Sequence, residues 1–378
     1  MKAIALTSKG IAAVAAAEIQ EHIGVAASAH EEHVLFDIGK LEDLAGLCYT
    51  SQSVDKILFL LKDFSFTEAA FEENFEKAVS GIEWKKWLKK NASFKIGAKN
   101  AFCQYTELAE KTADILIRKL GSFSLKVDFS QPDLCLFFYF DGNTCYFCVD
   151  FSGNELYKRG YKIFAHPGAL RGTIAYAAVR FADMKASDVL LDPFSGSGTI
   201  SIEAAFYLSR FPLNYFNKDK WAFLKLKPFE GFDFGSFFKK MDAQAVDKEL
   251  SIYGTDYLLA SVTMAKKNAK IGGVNKYLHF TKMDVQWLDT KWEKSSVDRI
   301  ITHPPEASKH KNPKKIEKLY ESFFYNADFI LKENGKIAVI SRDTGLLKKA
   351  ASKYRFRLVD EKSVFSGQQE LKMALFSR

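Results

Sequence analysis

The chain has 378 residues, with 54 Lys and Arg against 46 Asp and Glu, a formal net charge of +8. Hydrophobic residues make up 47% and charged residues 26%, ordinary values for a globular protein whose length allows two or three domains and a sizeable core. No apolar run reaches the ~18 residues of a membrane-spanning helix, no signal-peptide pattern follows the N-terminus, and five cysteines suit a reducing compartment; a cytoplasmic protein away from the membrane is expected.

Residues 1–62 read as a small α+β unit: a strand over 3–7, a helix over about 11–21, a strand over 33–37, a helix over 41–49 and an apolar segment at 56–61. Residues 63–155 read as a second α+β unit. A helix over about 67–79 and a segment at 84–88 precede a strand over 93–99 that carries Lys95 and Lys99. A helix over 107–120 follows, then a hairpin of 134–139 and 144–151 across Asp141-Gly142-Asn143, a tight-turn sequence. Cys145 and Cys148 have the spacing of half a zinc site. No second Cys pair accompanies them, and on a strand they point to opposite faces, so no metal is expected.

Residues 156–168 read as a linker, and 169–378 alternate helix and strand. A helix over 170–181 leads to a strand over 188–191. A strand over 251–254 runs toward Asp256 and is followed by a helix over 257–270. A strand over 278–282 runs toward Asp284, and one over 298–302 meets His303-Pro304-Pro305. A helix over 315–332, a strand over 335–341 and an antiparallel pair over 357–365 and 371–376 complete the chain. This alternation predicts an α/β fold with a seven-stranded mixed sheet, whose ligands bind at the carboxyl ends of the parallel strands. An aromatic insertion at about 211–249 includes Trp221, Phe223, Phe229, Phe232, Phe234, Phe237 and Phe238. It is too apolar for a free linker; it is either extra core or a surface for a partner.

The most informative stretch is Val189-Leu-Leu-Asp192-Pro193-Phe194-Ser195-Gly196-Ser197-Gly198-Thr199. A buried strand stops at an acid, turns through glycines and opens a helix, which is the cradle of a nucleotide-like ligand. The lysine of a phosphate-binding loop is missing. Asp256, at a strand tip, can accept both hydroxyls of a ribose; alone it could equally cap a helix. Asp284, at another tip, can accept from an adenine amine or close a local turn. Asp192, Asp256 and Asp284 together form a series on neighbouring strands that three unrelated caps explain poorly. The densest basic cluster, Lys309-His-Lys311 with Lys314, Lys315 and Lys318, is either a solvated helix start or a contact for nucleic acid.

Residues 165–378 resemble the class I methyltransferases that use S-adenosyl-L-methionine (SAM), a Rossmann-like domain. Residues 1–155 resemble the ferredoxin-like and THUMP domains that precede it in one RNA-modifying group. The junction Gly153-Asn-Glu-Leu156-Tyr-Lys-Arg159-Gly160-Tyr161, followed by His166-Pro167, is similar to that group's own segment. The resemblance covers nearly the whole chain. It is closest to the THUMP enzymes that methylate guanosine N2 at position 6 of tRNA, in the acceptor stem, with the bacterial 23S rRNA guanine-N2 methyltransferases as relatives. It implies tRNA, or else rRNA, as the partner and SAM as the cofactor; a monomer is expected. The loop from Asp192 to Thr199, including Pro193, Phe194, Gly196, Ser197 and Gly198, would hold the methionine part of SAM. Asp256 would hold the ribose and Asp284 the adenine. Lys95, Lys99, Arg159, Lys309 and Lys311 would meet RNA, with the basic strand residues on phosphates, which position the molecule without reading its sequence.

One motif departs from the resembled group. Amine methyltransferases of this kind carry Asn/Asp-Pro-Pro-Tyr/Phe after the fourth strand; this chain has His303-Pro304-Pro305-Glu306. These four are the candidate catalytic residues. A histidine accepts one hydrogen bond only when neutral, and Glu306 cannot stack on a base but could accept from a guanine edge. Three readings stay open: an active guanine-N2 enzyme using His303, an enzyme for another base or atom, or a SAM- and RNA-binding protein without catalysis.

Overall fold

The computed structural model describes residues 1–165, 168–306 and 312–378. In the N-terminal half, β1 (Lys2–Thr7) is followed by α1 (Ala12–Ile23), which ends on Gly24 at φ 73°, the left-handed C-cap that favours glycine. β2 (Ala27–Ala29), β3 (His33–Asp37), α2 (Leu41–Thr50), β4 (Val54–Ser65), α3 (Phe71–Ser80), β5 (Ser93–Lys99), α4 (Tyr105–Lys119), β6 (Lys126–Val127), β7 (Leu134–Asp141) and β8 (Thr144–Asp150) follow.

These strands form one eight-stranded sheet in the order β2-β3-β1-β4-β8-β7-β5-β6. β4 joins the two expected units: it runs across residue 62, pairing with β1 on one side and β8 on the other. The apolar sides of α1 to α4 pack on one face of the sheet, in a core that includes Ile19, Leu47, Phe75, Leu116 and Phe138. The opposite face carries a smaller cluster around Ile4, Leu58, Phe137 and Tyr139. Cys145 lies in the first cluster and Cys148 in the second, the two faces that strand alternation requires.

The C-terminal half comprises α5 (Gly172–Phe181), β9 (Leu190–Asp192), α6 (Thr199–Ser209), α7 (Phe234–Asp242), β10 (Ile252–Asp256), α8 (Leu259–Gly272), β11 (Leu278–Lys282), β12 (Val297–Thr302), α9 (Pro313–Ile330), β13 (Leu331–Ser341), α10 (Gly345–Lys353), β14 (Arg357–Ser366) and β15 (Gln369–Ser377). Its sheet has seven strands in the order β11-β10-β9-β12-β13-β15-β14, parallel except for β15 against β13 and β14 against β15. This is the mixed α/β sheet expected. Consecutive residues feed opposite cores: Leu190 packs with α5, α6 and α8, and Leu191 with α9 and α10. α9 begins two residues before the expected start because Asn312 caps it, its side chain accepting from the Lys314 N–H, and Pro313 opens its first turn.

Most of the aromatic insertion is core, with Phe232, Phe234 and Phe237 partly buried against it and Phe216 exposed. Trp221, Phe223, Leu226, Phe229 and Phe238 are buried with Trp87 and Phe151 in the main cluster of the N-terminal half. The Phe223 N–H donates to the Phe151 carbonyl at 3.1 Å, and the Tyr49 hydroxyl donates to Asp242 at 2.6 Å. The insertion therefore straps the two halves together. Among the described residues no helix is long and apolar enough to cross a membrane, and no cluster of three or more His, Cys, Asp or Glu could hold a metal.

Candidate cofactor and substrate site

The carboxyl ends of β11, β10, β9 and β12 lie side by side. Asp192, at the tip of β9, is 1% exposed; it accepts from the Thr302 hydroxyl at 2.6 Å and from the Phe194 N–H at 3.2 Å. It thereby ties the first strand tip to the last residue of β12. Burial pushes its carboxyl from 3.8 up to about 7, against the opposing effect of these two bonds.

A buried carboxyl raised in this way makes stability fall with pH. Between 3.8 and about 7 the unfolded chain gives up the proton and the folded one keeps it, so the folded state loses ground until both are ionised. Asp192→Asn keeps an acceptor for Thr302 and has no such penalty. Its stability relative to the parent should rise from pH 4 to pH 7 and level off above, by an amount on the order of 4 kcal/mol. Urea titrations at four pH values measure this; a constant difference would mean that Asp192 is ionised throughout.

The turn after Asp192 is built by backbone bonds. The Ser195 N–H donates to the Thr255 carbonyl at 2.9 Å, the Gly196 N–H to Asp256 Oδ2 at 3.1 Å, and the Gly198 N–H to the Ser195 carbonyl at 2.7 Å. Gly198 sits at φ 80°, and a Cβ there would lie 2.9 Å from both Ala265 and Phe280; only glycine fits. α6 then starts with no side-chain cap, so its first N–H groups and positive dipole end are available to an anion. The hydroxyls of Ser195 and Thr255 are buried without a partner.

Asp256 accepts through Oδ2 from Gly196 and through Oδ1 from the Leu258 N–H at 2.9 Å. Each oxygen keeps a second lone pair, enough for two donors such as ribose hydroxyls. The Asp256 carbonyl accepts from the Met283 N–H at 2.9 Å, which brings the third tip alongside. Asp284 uses Oδ1 to accept from the Gln286 N–H at 3.0 Å. It caps the turn Val285–Thr290 and has acceptor capacity left for an amine. A glycine turn, an uncapped helix start and two half-buried carboxylates in a row fit a nucleoside that also carries an amino-acid carboxylate, which is SAM.

Past Thr302 the chain turns through His303, Pro304, Pro305 and Glu306. His303 Nδ1 lies 2.7 Å from the Ile340 carbonyl oxygen. A carbonyl only accepts, so Nδ1 carries a proton. The Pro305 carbonyl accepts from the Tyr320 hydroxyl at 2.8 Å. Glu306 is engaged from within the protein. One oxygen accepts from the Ser341 hydroxyl at 2.9 Å and the Arg342 N–H at 2.6 Å, and the other from Arg342 Nε. Burial works against ionisation of Glu306, but the Arg342 and Ser341 bonds outweigh it and hold the carboxyl below its ordinary value.

A sequence profile of the RMKL-like methyltransferase domain matches residues 159–372, and one of the THUMP domain matches residues 69–150. The chain belongs to the RMKL-like methyltransferase family. It is 28% identical over 343 residues to the tRNA (guanine(6)-N2)-methyltransferase of Methanocaldococcus jannaschii, covering 88% of each chain. It is 29% identical over 232 residues to the ribosomal RNA large subunit methyltransferase K/L of Buchnera aphidicola, covering 58% of this chain and 32% of that one. The fold matches that of TrmN from Thermus thermophilus with a TM-score of 0.74 at 20% identity, over 100% of this chain and 99% of that one. It also matches a putative methyltransferase complexed with SAH, with a TM-score of 0.83 at 20% identity, over 100% and 97%. The fold is thus that of the class I methyltransferases, with a THUMP domain ahead of the catalytic one, and the methyl donor of this RMKL-like methyltransferase is SAM.

Two expected RNA contacts read differently in the structure, and two lie outside it. Arg159 is buried, so it cannot meet RNA. Its guanidinium donates to Glu203 of α6 at 2.7 and 3.2 Å and to the Leu156 carbonyl at 2.8 Å, and also bonds the Gln52 carbonyl. Tyr161 and Gln52 each add a bond to Glu203 at 2.7 Å. Lys99 is half-buried and paired with Glu32 at 3.2 Å. It lines a cleft of about 570 Å³ between the N-terminal sheet and the β14–β15 turn, together with Lys9, Lys56, Lys158 and Arg171. Lys95 lies on the same face of β5. Lys309 and Lys311 fall outside the described residues, as do His166 and Pro167.

Sequence reasoning missed Asn268, in the middle of α8. Its side chain is 0% exposed; it donates to the Phe164 carbonyl at 2.7 Å and the Ser197 carbonyl at 3.0 Å, and accepts from the Phe164 N–H at 3.0 Å. It fastens the linker to the glycine turn. The signal was an asparagine inside an amphipathic helix, where that residue is a poor helix former.

Proposed function

We propose that this protein transfers a methyl group from SAM to the N2 of a guanosine in tRNA, at position 6 in the acceptor stem. The observation that carries the reading is the row of Asp284, Asp256, Asp192 and His303-Pro304-Pro305 along one edge of the sheet, in a chain with an N-terminal THUMP domain. The named activity of the Methanocaldococcus jannaschii relative, matched over 88% of each chain, supports the same substrate.

SAM supplies an electrophilic methyl group and a neutral thioether leaving group. The protein's share is to hold and aim the nucleophile. The guanine N2 lone pair is delocalised into the ring, so the amine must be turned until that pair faces the methyl carbon. His303, whose Nδ1 is turned to the Ile340 carbonyl, is the side chain placed to accept one N2–H, which it does in its neutral form. The Pro304 carbonyl accepts the other, the Pro305 carbonyl being turned to the Tyr320 hydroxyl. The new N–C bond forms with the N2 electron pair as the S–C bond breaks, and N2 then sheds one proton to water. The target base must first leave its helix, which costs unstacking energy.

The test is a transfer assay with labelled SAM and unmodified tRNA, with a 23S rRNA fragment in parallel and the product nucleoside identified by mass spectrometry. N2-methylguanosine in the tRNA is the expected result. Product only in the rRNA would move the substrate, and none in either would remove the enzymatic reading. His303→Asn retains a donor for Ile340 and an acceptor for the amine, and should stay within a few-fold of the parent, whereas His303→Ala should lose about 10- to 100-fold in kcat. Loss of activity in the Asn variant would assign His303 a proton-transfer role instead.

A further inference from the structure

The resembled group places an aromatic residue after the two prolines, where it covers the face of the extruded base. Glu306 stands there in this chain, with a side chain only 13% exposed and both oxygens engaged by Ser341 and Arg342. Position 306 therefore offers the base no surface. It does, however, fix a neighbour that can.

Arg342 directly follows β13, next to β12, whose last residue precedes His303. Its side chain is 51% exposed. Nε is held by Glu306, and among the described residues its two terminal nitrogens carry no hydrogen bond. A guanidinium is planar and delocalised, so bonding Nε to a fixed carboxylate restricts the orientation of the whole plane. Glu306 is fixed in turn by the Arg342 N–H and the Ser341 hydroxyl. The result is a pre-oriented flat cation at the carboxyl end of β13, held by the residue that follows the two prolines. Guanidinium planes stack on unpaired bases much as aromatic rings do, being weakly hydrated on their faces.

We propose that the Arg342 guanidinium, oriented by Glu306, is the surface on which the target guanine stacks, in place of the missing aromatic ring. This rests on the guanosine-N2 reading given above. A stacked plane and a phosphate contact are both open to an arginine, and they separate by what lysine can replace. Lysine keeps the charge but has no plane.

The experiment measures methyl transfer to unmodified tRNA, and SAH affinity by calorimetry, for the parent, Arg342→Ala and Arg342→Lys. With stacking, both variants lose about 10- to 100-fold in kcat/KM for tRNA, the range of one base–side-chain stack. SAH affinity stays unchanged. Binding supplies a second readout. The parent should bind tRNA more tightly with the target guanosine present than with an abasic nucleotide there, and both variants should lose that preference. Activity restored by Arg342→Lys, or a preference for the guanosine over the abasic nucleotide that survives in Arg342→Ala, overturns the inference in favour of a phosphate contact or no contact. A parent that methylates no guanosine N2 overturns the underlying reading, and this inference with it.

Discussion

Asp256→Ala should weaken SAH binding by at least about a hundred-fold and leave the fold standing. The carboxylate is proposed to accept two ribose hydroxyls, and hydrogen bonds to a charged group contribute about 1.5–3 kcal/mol each. Two such bonds amount to two or more powers of ten in affinity. The same carboxylate also accepts from the Gly196 and Leu258 N–H groups, so its loss loosens the glycine turn as well as the ribose contact. The stability cost is small by comparison, about 1 kcal/mol, because both N–H groups lie near the surface and water can replace the acceptor. Asp256→Asn keeps one acceptor oxygen and should fall between the two. Calorimetric titration with SAH, alongside thermal unfolding of each variant, separates binding from folding. Unchanged SAH affinity in the alanine variant would mean that the nucleoside sits elsewhere.

The series containing Asp256 was legible in the sequence because its signals are local. An apolar strand, an acid and a glycine turn occupy a dozen consecutive residues, and each acid follows its own strand. The parallel sheet was legible for the same reason: β9 to β13 are apolar runs broken by amphipathic helices. What escaped depends on contacts distant in sequence. β2 (Ala27–Ala29) and β6 (Lys126–Val127) have three and two residues, too few to show alternation, and they exist because a neighbouring strand pairs with them. α10 (Gly345–Lys353) is short and lysine-rich, and packs through Leu347, Ala350 and Ala351. The single eight-stranded sheet could not be read locally either, since pairing of β4 with β8 joins residues as distant as Leu58 and Asp150. Arg159 is the instructive correction. An arginine in a Lys-Arg-Gly junction looks like an RNA contact, and only its partner, Glu203 on a helix 44 residues later, reveals it as an internal tie. Glu306 is the same lesson at the site: its partners Ser341 and Arg342 arrive from another strand.

Breaking that internal tie should have the largest effect on stability of any single change outside the hydrophobic core. Glu203 is 0% exposed, and its carboxylate accepts from Arg159, Tyr161 and Gln52. These three come from the linker and the N-terminal half, while Glu203 belongs to the helix that opens at the glycine turn. The start of α5 closes over the pair: a Cβ on Gly172 would lie 2.4 Å from both Arg159 Nε and Glu203 Oε1, so water has no room to enter. Glu203→Ala leaves the Arg159 guanidinium buried and uncompensated, a loss of about 3–5 kcal/mol. Arg159→Met strands the Glu203 charge and should cost a similar amount, although Tyr161 and Gln52 still donate to it. The double replacement Arg159→Met with Glu203→Leu removes both charges and should recover much of the loss, since a buried ion pair adds little over apolar groups of the same size. Urea unfolding of the two single variants and the double variant forms the cycle. A coupling below about 0.5 kcal/mol would mean that the pair acts as two independent groups. A strong coupling would identify the Arg159–Glu203 pair as what holds the N-terminal half in register with the glycine turn. Gly172→Ala should then reproduce part of the loss by wedging the pair apart, without removing either charge.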